Sequence, residues 1–274
     1  MKRAALIDAD IIVYEAAYRC QEGIEWDPGE ISKYADLEDA VDCLDASIAM
    51  IEHKVGADEV FLALTDSARE LNFRRSVWPK YKCHREAKVG TPSDGRPLLY
   101  QALRQYVREE YKVFQKQGIE GDDSIGILAT ADLDWLPLER VICSVDKDLD
   151  NIPGWHFNWR KPERLVYYIT EREADRNFMF QTLTGDATDG YPGIPGIGPK
   201  KAEKILNSAE ENQPEWLIRP QFWWWEAVRS AYDCNGFDYD YLMSQARCAR
   251  ILRASDWDTV NQRPILWTPP EEWL

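Results

Sequence analysis

The chain has 274 residues, 45% of them apolar and 12 of them Trp, which supports one large core, or one plus a small lobe, and excludes a disordered protein. Its 33 Lys and Arg against 48 Asp and Glu leave a net charge of −15. Taken alone, that balance argues against a nucleic-acid partner, because basic surfaces supply most non-specific affinity; acids gathered around cations would change the argument, and two divalent ions would bring −15 to −11.

Ala4-Ala5-Leu6-Ile7 is a short apolar run closed by Asp8, which predicts a buried parallel strand with an acid at its C-terminal end. Ligand sites of open α/β sheets lie at that edge. Helical spacing follows from Ile11 to Arg19, then a polar connection with Gly and Pro over 22–35. Leu37, Val41, Leu44, Ile48, Ile51 and Val55 mark a long amphipathic helix from Asp36 to about Gly56. Glu59 to Leu64 reads as a second strand, and again an acid follows, Asp66.

Phe73 to Lys88 holds Arg74, Arg75, Lys80, Lys82, Arg85 and Lys88 against a single Glu, with aromatic residues between them. In an acidic protein this is the stripe suited to phosphate; the plainer alternative is a solvated helix. Gly90 to Pro97 predicts a flexible loop and Leu98 to Glu110 a helix. Val113-Phe114 begins a strand that leads to Glu120, Asp122 and Asp123 at the start of another helix. Capping explains one acid at a helix N-terminus but not three, because crowded carboxylates repel unless a cation holds them. Val141 to Val145 is a further strand, followed by Asp146-Lys147-Asp148-Leu149-Asp150. An EF-hand loop is excluded there: Asn151 stands in the place of the required Gly and Phe157 in that of the bidentate Glu. Residues 155–159 and 165–169 read as edge strands, and Glu171 to Leu183 as a helix.

Thr184 to Ala202 carries Asp186 and Asp189, then alternating Gly and Pro, then a helix opening at Pro199. Gly193, Gly196 and Gly198 permit amides to crowd around an ion or phosphate, and Lys200, Lys201 and Lys204 add positive charge beside the helix N-terminus. The P-loop pattern fails because Pro199 replaces its Lys, and the dinucleotide fingerprint fails for want of a third Gly. Pro214 to Tyr232 and Tyr239 to Leu252 are predicted helices, and Trp223-Trp224-Trp225 is read as core or interface packing. No internal repeat is present.

Nine acids (Asp8, Asp66, Glu120, Asp122, Asp123, Asp146, Asp148, Asp186 and Asp189) are thereby expected at one sheet edge. Carboxylates without His or Cys select a hard divalent ion, Mg²⁺ or Mn²⁺. Two such ions roughly 4 Å apart suit phosphodiester hydrolysis.

The segment GDATDGYPGIPGIGPKKAEKIL resembles the helix-hairpin-helix of the flap endonuclease / 5′-exonuclease family. Ser144-Val145-Asp146-Lys147-Asp148-Leu149 resembles its strand-end Asp pair, and the Phe-Arg then Pro-x-Tyr-Lys-x-x-Arg order around Tyr81 is similar to the segment entering its helical arch. The likeness covers about residues 4–206 and narrows to the 5′→3′ exonucleases of T-seven-type phages through Phe180 to Tyr191, Leu64-Thr65-Asp66 and Gln245 to Arg253. It implies a PIN-like (Rossmannoid) α/β fold: a nuclease domain over 1–184 with a basic arch at about 70–110, then the hairpin and a helical extension over 185–274. It also implies metal-dependent hydrolysis from the 5′ ends of duplex DNA, nicks or flaps, with flap and RNase H-like activity on RNA–DNA hybrids included. Lys82, Arg85 and Tyr81 would serve the scissile phosphate, with Arg74 or Arg75 in support. Arg75, Lys80, Lys88, Gly193, Gly196, Gly198, Lys200, Lys201 and Lys204 would hold DNA, with a monovalent cation such as K⁺ at the hairpin. Asp10 stands where many relatives carry Asn, and it is not counted as a ligand.

The alternatives are a flap endonuclease proper, a small-RNA nuclease of the PIN type, which lacks the hairpin, and a non-catalytic DNA-binding relative. Six scattered Cys without a C-x-x-C pair and three dispersed His exclude a zinc site. Asp8 and Asp10 interrupt the N-terminal apolar run, and no stretch approaches the roughly 20 residues of a membrane span. A soluble cytoplasmic protein with reduced thiols is expected, host-cytoplasmic if phage-encoded.

Overall fold

The computed structural model describes residues 2–27, 30–86, 95–161, 163, 165–211 and 220–273. Its centre is β1 (Arg3–Asp8), whose side chains alternate between two apolar layers. Ala5 and Ile7 face α1 (Ala9–Arg19), α2 (Leu37–Val55) and α5 (Tyr100–Glu110), through Ile12, Leu44, Ile48 and Leu103. Ala4 and Leu6 face α6 (Gly121–Thr130), through Ile125 and Leu128. A stretch buried on both faces must be apolar, which is why Ala4–Ile7 of β1, Phe61–Ala63 of β4 and Val141–Cys143 of β6 read as unbroken runs.

The sheet has the order β5 (Val113–Phe114), β4 (Glu59–Ala63), β1, β6 (Glu139–Cys143), β7 (Gly154–Phe157), β8 (Tyr167–Ile169). Every pair is parallel except β7–β8. Register places Asp8 beside Ala63 and Ile7 beside Cys143, so the chain leaves β1, β4 and β6 at one edge. This is a mixed α/β fold with a mainly parallel sheet covered on both faces. Asp36 caps α2 at its start, and Gly56 closes it in the left-handed conformation, φ 64°.

The second half adds a helical core. The helices α7 (Glu171–Thr184), α8 (Pro199–Glu211), α9 (Pro220–Cys234) and α10 (Tyr239–Ala249) enclose Phe178, Leu183, Leu206, Trp224, Trp225 and Tyr232. Trp224 and Trp225 are fully buried, as core packing requires. The chain then returns to α6 across Gly126, where an added Cβ would lie 2.3 Å from the Leu252 carbonyl oxygen. Short strands β9 (Trp257–Asp258) and β10 (Arg263–Pro264) end it. Among the described residues no helix is long and apolar enough to cross a membrane.

Several expectations are corrected. Residues 22–35 are no plain connection: β2 (Gln21–Asp27) and β3 (Glu30–Ala35) pair antiparallel as a separate ribbon. The plainer alternative of one solvated helix for the basic stripe fails, since α3 (Phe73–Val77) and α4 (Cys83–Glu86) flank a turn. Lys88, Trp216 and residues 90–94 of the expected loop lie outside the described residues.

Candidate active site

The C-terminal edge of the sheet opens into a cleft of about 520 Å³. Asp8, Asp66, Glu120, Asp122, Asp146, Asp148, Asp186 and Asp189 all line it, and so does Asp10. Asp8 ends β1 and caps α1, accepting from the Ile11 amide (3.3 Å) and the Ser144 hydroxyl (3.0 Å). Asp66 follows β4 and accepts from the Gly118 amide (3.0 Å), which ties it to the loop entering α6. Asp146 follows β6 and caps a single 3₁₀ turn, accepting from the Asp148 amide (2.9 Å). Asp186 and Asp189 come from the turn after α7, with Asp186 accepting from the Thr188 amide (2.6 Å).

Burial, with crowding second to it, sets the electrostatics. Burial first, then Asp10, pushes the Asp8 carboxyl up to about 7 against the pull of Ser144. Burial together with Asp8, Asp146 and Glu120 raises Asp122 well above the carboxylate range. Burial, Asp146 and Asp186 raise Asp148 to about 6. Glu120 behaves oppositely: burial would raise it, but Lys82 and Arg74 outweigh that and hold it at about 2.

The positive side of the cleft is Lys82. Its ammonium lies 2.8 and 2.7 Å from the two Glu120 oxygens and 3.2 Å from Asp189. The Tyr81 hydroxyl lies between the same two acids, 3.0 Å from Glu120 and 2.9 Å from Asp189. Lys82 adopts φ 51°, a left-handed conformation that costs a non-glycine residue free energy. Its surroundings hold it there: the Lys82 amide donates to the Asp189 carbonyl (2.7 Å), and the Trp78 indole donates to the Gly190 carbonyl (2.9 Å). Arg75 and Arg96 also line the cleft.

Two expected site residues belong elsewhere. Asp123 is fully buried and receives both Arg74 nitrogens at 2.7 Å, together with the Glu120 and Leu252 amides at 3.0 Å. Arg74 is 2% exposed and also donates to the Cys248 and Arg250 carbonyls. Neither side chain lines the cleft, so the assignment of Asp123 to metal and of Arg74 to phosphate is corrected: they form an internal ion pair. At the hairpin, Gly193 is buried and its amide donates to Gln245 Oε1 (3.0 Å), so that N–H is not available to a phosphate. Its φ of 57° serves close packing instead, because an added Cβ would lie 2.4 Å from the Gly185 nitrogen. Gly196, Gly198, Lys200, Lys201 and Lys204 are exposed, and the Lys201 ammonium donates to the Gly196 carbonyl (2.9 Å). Lys80 is exposed as well, while the Arg85 side chain lies outside the described set.

The sequence reading missed Arg104 and the part played by Asp10. Arg104 pairs with Asp10 inside the cleft wall. A signal for it exists: Tyr100, Leu103, Arg104 and Val107 form the i, i+3, i+4, i+7 buried face of α5, where an Arg requires a partner. Among the described residues no group of three or more Asp, Glu, His or Cys side chains is arranged so that it could hold a metal ion as placed; the acids line the cleft at wider spacing. A wider groove of about 1130 Å³ opens at the opposite end of β6, beside Arg140, Trp155 and Trp273. Two buried arginines there, Arg250 and Arg253, are already paired with Asp256 and Asp175. The acid chemistry therefore belongs to the smaller cleft.

Fold and cleft together define the class: a PIN-like α/β protein with a carboxylate-lined edge. Residues 3–174 match the N-terminal, resolvase-like domain of 5′-3′ exonucleases, and the chain belongs to the 5′-3′ exonuclease family, a family of nucleases. It is 30% identical to the exonuclease of Escherichia phage T7, over 98% of this chain and 94% of that one. It is 29% identical to the exodeoxyribonuclease of Enterobacteria phage T3, over 98% and 93%. Among solved structures, the bacteriophage T5 flap endonuclease in a pseudo-enzyme-product complex with DNA and metal ions superposes with a TM-score of 0.56. That alignment is 13% identical and covers 89% of this chain and 88% of the other, a likeness of fold.

Proposed function

We propose that this chain is a Mg²⁺- or Mn²⁺-dependent 5′→3′ deoxyribonuclease that hydrolyses phosphodiesters from the 5′ ends of duplex DNA, nicks and flaps. The observation that carries the reading is the convergence of eight expected acids on one cleft with Lys82 bound among them. The donor set fits a hard divalent ion: the cleft acids offer oxygen donors only, and burial together with neighbouring carboxylates pushes three of them upward, which a bound cation would relieve. Asp8, Asp122, Asp146, Asp148, Asp186 and Asp189 would hold two ions, with Glu120 and Asp66 beside them. Such a pair, when bound, activates water and stabilises the leaving oxygen.

The chain's own residues supply the remainder. Lys82, already on Glu120 and Asp189, presents positive charge where a phosphate would approach the acids. Tyr81 holds Glu120 and Asp189 in place. Arg75, Arg96, Arg85 and Lys80 steer the strand, with Lys88 continuing the stripe. Gly196, Gly198, Lys200, Lys201 and Lys204 offer an exposed helix terminus to the duplex backbone, which they would grip without reading bases. A monovalent cation at that turn and cleavage of RNA–DNA hybrids are further parts of the proposal.

Duplex, nicked and flapped substrates labelled at the 5′ or the 3′ end, incubated with Mg²⁺ or with EDTA, test it. Early release of 5′ label as short products, with progressive shortening of 3′-labelled strands only in Mg²⁺, is the expected pattern. Reversed labels, or cleavage undiminished by EDTA, would reject the reading. Cleavage confined to flaps would favour a flap endonuclease proper.

A further inference from the structure

The chain places a carboxylate inside the cleft wall and then neutralises it, and nothing in the proposed chemistry uses that pair. Asp10 lies two residues beyond Asp8 in the first turn of α1, and its Oδ1 is paired with the Arg104 guanidinium from α5. Its Oδ2 accepts from the Thr65 amide at 2.8 Å. The other end of the Arg104 fork donates to the Thr65 carbonyl (2.6 Å), which also accepts from Gln115 (3.0 Å). The Thr65 hydroxyl in turn accepts from the Gly121 amide at 2.9 Å. Thr65 is therefore held by its amide, carbonyl and hydroxyl, and Asp66 is the next residue. Gly121 stands between Glu120 and Asp122, packed so closely that an added Cβ would lie 2.9 Å from Asp10 Oδ2.

Arg104 is 4% exposed and its side chain also meets the Tyr100 hydroxyl at 3.3 Å. A buried guanidinium stripped of its carboxylate is strongly disfavoured, so Arg104 and Asp10 act as a unit. It joins three elements that carry cleft acids: α1 after Asp8, the Thr65–Asp66 corner after β4, and the start of α6. We propose that Arg104 is a positioning residue for the acid cleft. Through Asp10 and Thr65 it fixes the spacing of Asp8, Asp66 and the Glu120–Asp122 pair, and it offsets part of the Asp10 charge that adds to the crowding on Asp8. The idea rests on the nuclease reading above, because it assumes that the cleft is where the reaction occurs.

The test compares wild type, Arg104→Gln, Asp10→Asn and the double variant by single-turnover cleavage of a 5′-flapped duplex, with substrate affinity and thermal midpoint measured alongside. Asp122→Asn is run beside them as the control for the reading itself. Arg104→Gln is expected to lower the rate about tenfold or more while affinity changes less than about threefold, since binding surfaces are untouched. Adding Asp10→Asn should restore most of that rate: the amide oxygen still accepts from Thr65, and the uncancelled charge beside Asp8 is gone. A space-filling role for Arg104 would not be rescued by a change at Asp10. A rate within about twofold of wild type, or a loss that Asp10→Asn leaves in place, would overturn the proposal. If Arg104→Gln does not fold, Arg104→Lys replaces it, with loss of rate at unchanged midpoint expected and an unchanged rate contradicting the idea. Undiminished cleavage by Asp122→Asn would instead remove the nuclease reading beneath it.

Discussion

The cleft and the ion-paired seam behind it are built from the same residue types, and Asp122 and Asp123 show how far the two diverge. Asp122 faces Asp8, Asp146 and Glu120, and burial with that company pushes its carboxyl upward. Asp123, one residue on, meets a bidentate Arg74 and two backbone amides. The seam continues into the return of the chain after α10, which Arg250–Asp256 braces internally, the Leu252 amide on Asp123 ties to α6 and Arg253–Asp175 ties to α7. In the seam, opposite charges are matched and anchor one half of the molecule to the other. In the cleft, negative charges face one another with Lys82 as the main counterweight. One region should therefore fail in stability when changed and the other in rate.

The largest effect is expected in the cleft. Asp146→Asn should lower turnover with Mg²⁺ by a hundredfold or more, about 3 kcal/mol or above, with the thermal midpoint unchanged or higher because repulsion is relieved. Near-normal turnover of the purified, folded variant would break the assignment. In the seam, Asp123→Ala leaves Arg74 buried with only Glu120, 4.0 Å away, as counter-ion, and should cost about 3 kcal/mol in denaturant unfolding. A loss under about 1 kcal/mol would mean that Arg74 finds another partner.

Lys82→Ala sharpens the boundary between the two regions. Removing a charge contact made to the reacting phosphate costs on the order of 3 kcal/mol, so the single-turnover rate should fall about a hundredfold with little change in affinity. Loss of affinity alone would make Lys82 a steering residue. The smallest effect belongs to the hairpin. Lys200→Ala with Lys201→Ala should weaken duplex binding similarly across sequences and flatten its salt dependence, leaving the rate of bound substrate intact. An unchanged salt slope would place the duplex elsewhere.

Much of this was readable in the chain. β1, β4 and β6 hold apolar runs ending near an acid because stretches buried on both faces must be apolar, and that edge is where eight of nine expected acids met. The errors share one cause. Arg74 and Arg75 look alike in a basic stripe, as do Asp122 and Asp123 in an acidic one, yet successive helical residues point about 100° apart and only tertiary packing decides which faces inward. The β2–β3 ribbon was missed because none of residues 21–24 and 32–35, whose burial is described, is buried, so no core face imposes alternation there. Gly193 was misread because φ > 0 suits both an anion nest and tight backbone packing, and only the Gln245 contact separates them. Asp10 and Arg104 lie 94 residues apart, and no local pattern joins them.

The most direct test of the division between cleft and seam measures Asp122→Asn and Asp123→Asn side by side, for unfolding midpoint and for single-turnover rate per folded molecule. Asp122→Asn should fold as wild type and lose the rate by a hundredfold or more, about 3 kcal/mol or above. Asp123→Asn should unfold at markedly lower denaturant yet retain most of the rate while folded. Equal behaviour of the two variants, in either measurement, would contradict the account.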